Sequence, residues 1–260
     1  MLVSVMAASS GQVDMAAGNA VGSVTANTAL ILSLSILFLP SAAERPVILP
    51  KALILIGGIL LLWLTSLGGS LNPIGSLTLA LLFLYYIYDS IRGAKRELTG
   101  APRRRSVTGF EIMKNILFFL VGAGGIILGS RLMVDNGAVI AREILHIDER
   151  IISLTMMAVG TSLPELVTAI TAIVKRRGEL TAGNILGANI IDILLILPLC
   201  SLTQGGVLPV EAGTIWVDLP VCLAAVVITL IPALITGRFR RAQGAAALLL
   251  YIGYLVILIF

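Results

Sequence analysis

GTSLPELVTAITAIVKRRGELTAGNILGANIIDILL, residues 160–195, is the passage that decides the fold, because the chain contains it twice. Its partner is LVSVMAASSGQVDMAAGNAVGSVTANTALIL, residues 2–32. Subtracting 165 aligns the two without a gap, carrying Gly183 to Gly18, Asn184 to Asn19, Gly187 to Gly22 and Asp192 to Asn27. From Ala17 to Leu37, nine of 21 aligned positions are identical, including two glycines and an asparagine that shared apolar character does not explain. The same shift places the counterpart of Glu165 at position 0, one residue before Met1.

The duplicated passage lies in a membrane protein. The chain is 58% hydrophobic and 12% charged, with a mean hydropathy of +1.03. Apolar runs of the ~20 residues needed to cross a bilayer are expected at about 17–39, 46–66, 72–91, 111–133, 151–174, 180–203, 213–236 and 242–260. Residues 1–10 read as the tail of another span, with no basic n-region or clear h-region to make them a signal peptide. Runs this long satisfy their backbone in lipid only as helices. The expected class is all-α and polytopic.

The net charge of +4 reflects topology rather than nucleic-acid binding. With the segment around Arg92–Arg105 placed in the cytoplasm, alternating spans put 15 of the 18 basic residues on that side and leave Arg131, Arg142 and Arg150 outside. The positive-inside rule selects this orientation. Cys200 and Cys222 sit in apolar runs without metal-type spacing and read as packing residues. His146, the only histidine, falls in a short acidic outer loop. No nucleophile–base pair or metal triad points to an enzyme.

Residues 93–110 form the only sizeable polar linker, combining Pro, Gly and charge. They divide the chain into a partial first half, 1–92, with a remnant helix and three spans, and a second half, 111–260, with five. An odd number of crossings separates the partner spans 17–39 and 180–203, so the copies have opposite orientations. Inverted repeats are a hallmark of secondary transporters, whose sites lie near mid-membrane where the repeats meet. A first-half partner for the span starting near 111 would begin at −54, so the first helix and part of the second are expected to be missing, as in an N-terminally truncated chain or fragment.

Most of the 14 acidic residues fall at loops or span ends, whereas Glu165 and Asp192 lie within strongly apolar stretches. A carboxylate at the bilayer centre costs ~2.5–3.5 kcal/mol or more, so each needs a partner or a water-filled cavity. A helix–helix hydrogen bond is the plain alternative for both. Thr161, Ser162 and Glu165 are spaced to place two hydroxyls and a carboxylate on one helix side. Pro164 has no N–H and frees carbonyls around Gly160. An all-oxygen set suits hard cations, Ca²⁺ above all and Na⁺ with fewer charges. Asn184, Ala188 and Asp192 recur at four-residue spacing, as do Asn19, Ser23 and Asn27. Gly18–Gly22 and Gly183–Gly187 are GxxxG pairs, which alone signify close helix packing.

GTSLPE followed by GNILGANIID resembles the α-repeat of the sodium/calcium exchanger superfamily (calcium:cation antiporters), particularly its bacterial members, over essentially the whole chain. The resemblance implies ten transmembrane helices in two inverted halves of five, with ligands on the second, third, seventh and eighth. It implies that Glu165 is a principal Ca²⁺ and Na⁺ ligand and that Thr161, Ser162 and the Ala158 carbonyl add oxygens. Asp192 would sit beside the central sites, with Asn27 and Ser23 opposite. Three departures stand out: the first repeat's GTSxPE does not occur, Ala188 replaces a frequent serine, and Val24, Thr25 and Ala26 stand where many members have an Asn–hydrophobic pair.

The expected activity is exchange of Ca²⁺ for Na⁺ by alternating access in a bacterial inner membrane, with the linker cytoplasmic and no cofactor. Asp192 opposite Asn27 also resembles potassium-dependent members. K⁺ or H⁺ coupling stays open at this point, as does a membrane fragment that transports nothing.

Overall fold

A computed structural model describes Ser4, Ala8 and residues 13–100, 109–139, 143, 154, 155 and 158–259. The outer-loop His146, Arg142 and Arg150, and linker residues 101–108, lie outside these. Among the described residues, six helices are long and apolar enough to cross a membrane: Ala16–Phe38, Arg45–Ser66, Pro73–Gly93, Leu180–Thr203, Thr214–Thr236 and Arg241–Leu258. They match six of the expected spans to within about two residues.

The first span is built from α1 (Val13–Thr25), a π-helical stretch (Ala26–Leu32) and α2 (Ser33–Phe38). Helix α3 (Arg45–Ser66) returns across the bundle, and α4 (Pro73–Gly100) continues eight residues into the expected linker. Helix α5 (Gly109–Val139) covers the expected 111–133 span and extends beyond it. At ~1.5 Å per residue its 31 residues reach about 46 Å, longer than a ~30 Å hydrocarbon layer. The expected continuous span at 151–174 is broken instead. Its described part is α6 (Ala158–Thr161), a break at Ser162, and α7 (Leu163–Val174). Pro164, with no N–H to donate to the Gly160 carbonyl, accounts for the break.

The repeat partner of the first span is α8 (Gly178–Ile191), a π-helical stretch (Asp192–Ile196) and α9 (Leu197–Thr203). A third π-helical stretch (Thr214–Asp218) leads into α10 (Leu219–Thr236), and α11 (Arg241–Ile259) closes the chain. The first two π-helical stretches coincide under the 165 shift, which takes Asp192 to Asn27. Pro198 helps explain the second, since it offers no N–H to the preceding turn. At the equivalent place in the first, the Ser33 hydroxyl donates to the Thr28 carbonyl at 3.2 Å.

The inversion is visible in the packing. Gly178, which opens the second repeat span, lies against Leu39 and Ser41, which follow the first. At the other end, Gln204 donates to the carbonyl of Ala8. The two spans therefore run antiparallel. Two clasps repeat the symmetry: Ala42 bridges Arg238 at one end, and β1 (Ser70–Leu71) pairs antiparallel with β2 (Leu208–Pro209) at the other. The shift carries Ala42 to 207 and Arg238 to 73, within two residues of that second clasp.

Apolar side chains face outward as well as inward, and part of the interior is polar. Leu53, Leu64, Ile74 and Trp216 are exposed where lipid would cover them, while Asn19, Ser23, Asn27, Asn189 and Asp192 are buried. Polar side chains in a hydrocarbon slab face the bundle interior because lipid cannot hydrogen-bond them. The fold is an all-α, polytopic inverted repeat, and its polar interior lies between the two antiparallel repeat spans.

Candidate cation site

The wall contributed by the second repeat centres on the broken helix. Ser162 sits at φ −92°, ψ 4°, between the last residue of α6 and the first of α7. Pro164 is well placed in the first turn of α7, where a missing N–H costs little. Glu165 occupies that same turn, so the positive end of the helix dipole stabilises its negative charge. Its Oε2 is buried and has no hydrogen-bond partner among the described residues. The same holds for Oγ of Ser162, which is 2% exposed. Below the acid, Thr168 donates to the Glu165 carbonyl at 2.8 Å, and Asn184 donates to the Thr168 hydroxyl at 3.0 Å, tying α8 to α7.

The facing wall is the first repeat span. The hydroxyls of Ser23 and Thr161 are 2.9 Å apart across the repeats. Thr161 also lies within donating range of Asn19 Oδ1 at 3.3 Å and of the Ala158 carbonyl at 3.1 Å. Asn19 in turn donates to Ser4 at 2.7 Å. One turn beyond Ser23, Asn27 donates from Nδ2 to Asn189 Oδ1 at 2.9 Å. The Nδ2 of Asn189 donates to Thr28 Oγ1 at 2.8 Å. Asn27 is 1% exposed, and its Oδ1 has no partner among the described residues. Asp192, 7% exposed, begins the second π-helical stretch one turn after Asn189. That stretch packs on α1, while α7 packs on the first π-helical stretch.

The structure thus brings Glu165, Ser162, Thr161 and Ala158 into one local unit, joins Ser23 to it directly, and sets Asn27 and Asp192 on the two spans packed against it. The polar stripe is less symmetric than the sequence repeat. Asn19 is buried between repeats, whereas its counterpart Asn184 is exposed on α8. The Ala158 carbonyl, which the resemblance offers as a ligand, already accepts the Ser162 N–H and lies within reach of the Thr161 hydroxyl, both at 3.1 Å. The two GxxxG pairs also differ. A Cβ on Gly22 would meet Ala158 Cβ at 2.9 Å and the Leu154 backbone at 3.0 Å, while one on Gly187 would meet only the Tyr86 hydroxyl at 3.5 Å. Tight approach belongs to the first repeat's Gly22.

Three residues escaped the sequence reading. Thr28 and Asn189 carry no charge and differ from their repeat counterparts, so neither the insertion cost nor the alignment marks them. Asp218 looked like a span-end acid, yet it is 0% exposed and accepts the Tyr254 hydroxyl at 3.0 Å. That bond joins the third π-helical stretch to α11. Tyr254→Phe is expected to lower stability by about 1–3 kcal/mol, as losing the donor to a buried acceptor does, measured by thermal unfolding in detergent.

Among the described residues, no three His, Cys, Asp or Glu side chains converge as a metal cluster. The donor set is mixed: two carboxylates, hydroxyls and an amide oxygen. This composition fits a hard cation that enters and leaves better than one held permanently. The family model for sodium/calcium exchanger proteins matches residues 1–92 and 114–260.

The chain belongs to the sodium/calcium exchanger family. Among its relatives, the inner membrane protein YrbG of Escherichia coli is 34% identical over 224 residues, covering 79% of this chain and 65% of that protein. The sodium/calcium exchanger MaX1 of Methanosarcina acetivorans is 33% identical over 147 residues, covering 56% and 41% respectively. The chain therefore spans less than two thirds of the length of these two relatives. Crystals of the sodium-calcium exchanger NCX_Mj soaked with 2.5 mM Na⁺ and 0.1 mM Ca²⁺ give a TM-score of 0.76 at 26% identity, covering 97% of this chain and 79% of the exchanger.

Proposed function

We propose that this exchanger-family chain forms the ion-binding core of a secondary antiporter that exchanges Ca²⁺ for Na⁺ by alternating access. The observation that carries the reading is that three of the buried oxygens with no partner among the described residues, Asn27 Oδ1, Ser162 Oγ and Glu165 Oε2, lie on the packed walls contributed by both repeats. Buried polar atoms without partners are rare in folded proteins, and an ion that binds between the repeats gives these three a partner. Thr161 and Ser23 supply hydroxyls, Ala158 supplies a carbonyl when the Thr161 hydroxyl turns to the ion, and Asp192 supplies the second carboxylate.

The charges favour exchange over a passive leak. An intramembrane site with Glu165 and Asp192 ionised is costly while empty, and Ca²⁺ or two Na⁺ neutralise it. Occupied states then cross the low-dielectric barrier more readily than the empty one. The names of MaX1 and NCX_Mj support Na⁺ as the counter-ion. The inner-membrane description of the Escherichia coli relative supports the same location here, and the basic segment between the halves faces the cytoplasm.

The test is ⁴⁵Ca²⁺ uptake into inverted vesicles carrying the chain, driven in turn by outward gradients of Na⁺, K⁺ and H⁺. Uptake with the Na⁺ gradient at least tenfold above the gradient-free control is expected. Uptake driven equally by the proton gradient alone would replace Na⁺ by H⁺ in this reading, and a requirement for K⁺ would add a third ion. Uptake with none of the gradients would overturn exchange by this chain.

A further inference from the structure

We infer that Asn189, which hydrogen-bonds Asn27, is a positioning residue that accepts from the Asn27 amide nitrogen so that the amide oxygen is offered to the cation. The inference rests on the reading of Asn27 as a cation ligand. A side-chain amide has a donor end and an acceptor end, and only the acceptor end is useful to a cation. Asn27 spends its Nδ2 on Asn189 Oδ1, and Asn189 spends its Nδ2 on Thr28 Oγ1. The relay leaves Asn27 Oδ1 as the atom without a partner among the described residues. Rotated by half a turn, Asn27 would present an NH₂ group, which repels a cation. Both amides are almost wholly buried, so water does not replace a lost partner.

The repeat supplies the reason why only one such residue is needed. The 165 shift takes Asn189 to Val24, an apolar residue that is 0% exposed. Asn189 faces Asn27, and the counterpart of Asn27 is Asp192. A carboxylate accepts with either oxygen, so Asp192 has no polarity to fix and the first repeat places no amide at position 24. The asymmetry at 24 and 189 therefore follows from the asymmetry at 192 and 27. Thr28, immediately after Asn27 in the π-helical stretch, anchors the far end of the relay.

The test is equilibrium ⁴⁵Ca²⁺ binding to the full chain in detergent, with thermal unfolding of each ion-free variant measured alongside. Asn189→Leu, with the same number of side-chain heavy atoms and none of them polar, is expected to weaken Ca²⁺ binding about tenfold. In an Asn27→Ala background the same substitution is expected to add less than a twofold loss, because Asn189 acts through Asn27. In an Asn27→Asp background it is also expected to have little effect, since the carboxylate has no wrong end. A purely structural role predicts a similar loss in all three backgrounds, in step with unfolding temperature, and that outcome overturns the proposal. If Asn189→Leu does not fold, Thr28→Val in the same backgrounds supplies the cycle. Wild-type Ca²⁺ affinity in Glu165→Gln, or no binding by the unaltered chain, would instead overturn the underlying site reading. An intact effect of Glu165→Gln together with a background-independent effect at 189 overturns the positioning role alone.

Discussion

Glu165→Gln is expected to abolish Na⁺-driven Ca²⁺ uptake while leaving the protein at least as stable as before. The substitution keeps the length and nearly the volume of the side chain and removes one negative charge. Ca²⁺ brings two positive charges into the bundle, and Glu165 and Asp192 are the acids placed to meet them. Asp218, the other buried acid besides Asp192 among the described residues, is engaged by Tyr254 on α11. Removing one member of a buried charge pair costs ~3–5 kcal/mol, or two to four orders of magnitude in affinity. The empty protein gains from the same change. A neutral amide is cheaper to bury than a carboxylate, so the unfolding temperature without ions should hold or rise. Loss of uptake with retained stability separates a ligand from a structural acid. If Glu165 served only as a helix–helix hydrogen-bonding group, Gln would preserve much of that role and uptake would persist. Wild-type uptake by this variant would remove Glu165 from the site.

Much of this architecture can be read from the chain, and the legible parts share one physical cause. Lipid imposes span length, so 180–203 was readable to the residue and 46–66 to within one. The insertion cost of a charge singles out Glu165 and Asp192, and the missing N–H of Pro164 marks the break at Ser162. The duplication orients the halves before any coordinates are seen. What escaped depends on pairwise geometry. Nothing in AAGNAVGSVTANT announces that Ala26–Leu32 winds as a π-helix or that Asn27 faces Asn189. Repeat alignment even misleads at Asn19 and Asn184, which are equivalent in sequence. One is held by Ser4 inside the bundle and the other by Thr168 on its surface. Asp218 was overlooked because a run that begins in a loop makes its first acid look solvated, whereas α11 covers it.

Gly22→Ala is expected to lower Ca²⁺ affinity at least tenfold and to destabilise the protein, whereas Gly187→Ala, at the matching position of the other repeat, should be close to neutral. In each case one methyl is added to a helical GxxxG position, which by helix propensity alone gains about 0.5–1 kcal/mol. The surroundings decide the sign. At Gly187 the new Cβ would sit 3.5 Å from the end of the Tyr86 side chain, an ordinary contact that the tyrosine accommodates. At Gly22 it would press on Ala158 Cβ at 2.9 Å and on the Cα and carbonyl of Leu154 at 3.0 Å. Backbone cannot swing aside, so α1 must move away from the segment that carries α6. Overpacking of this kind costs ~1–3 kcal/mol. The displacement falls on the site directly, since Ser23 is the next residue and its hydroxyl meets Thr161 across the same contact at 2.9 Å. A shift of even 1 Å would break that link and pull the first repeat's oxygens away from Glu165. Thermal unfolding and ⁴⁵Ca²⁺ binding on the two variants give the comparison. Equal effects at 22 and 187 would mean that the glycines act through helix propensity alone. A large effect confined to 22 would make this close approach of the two repeats part of how the cation is held.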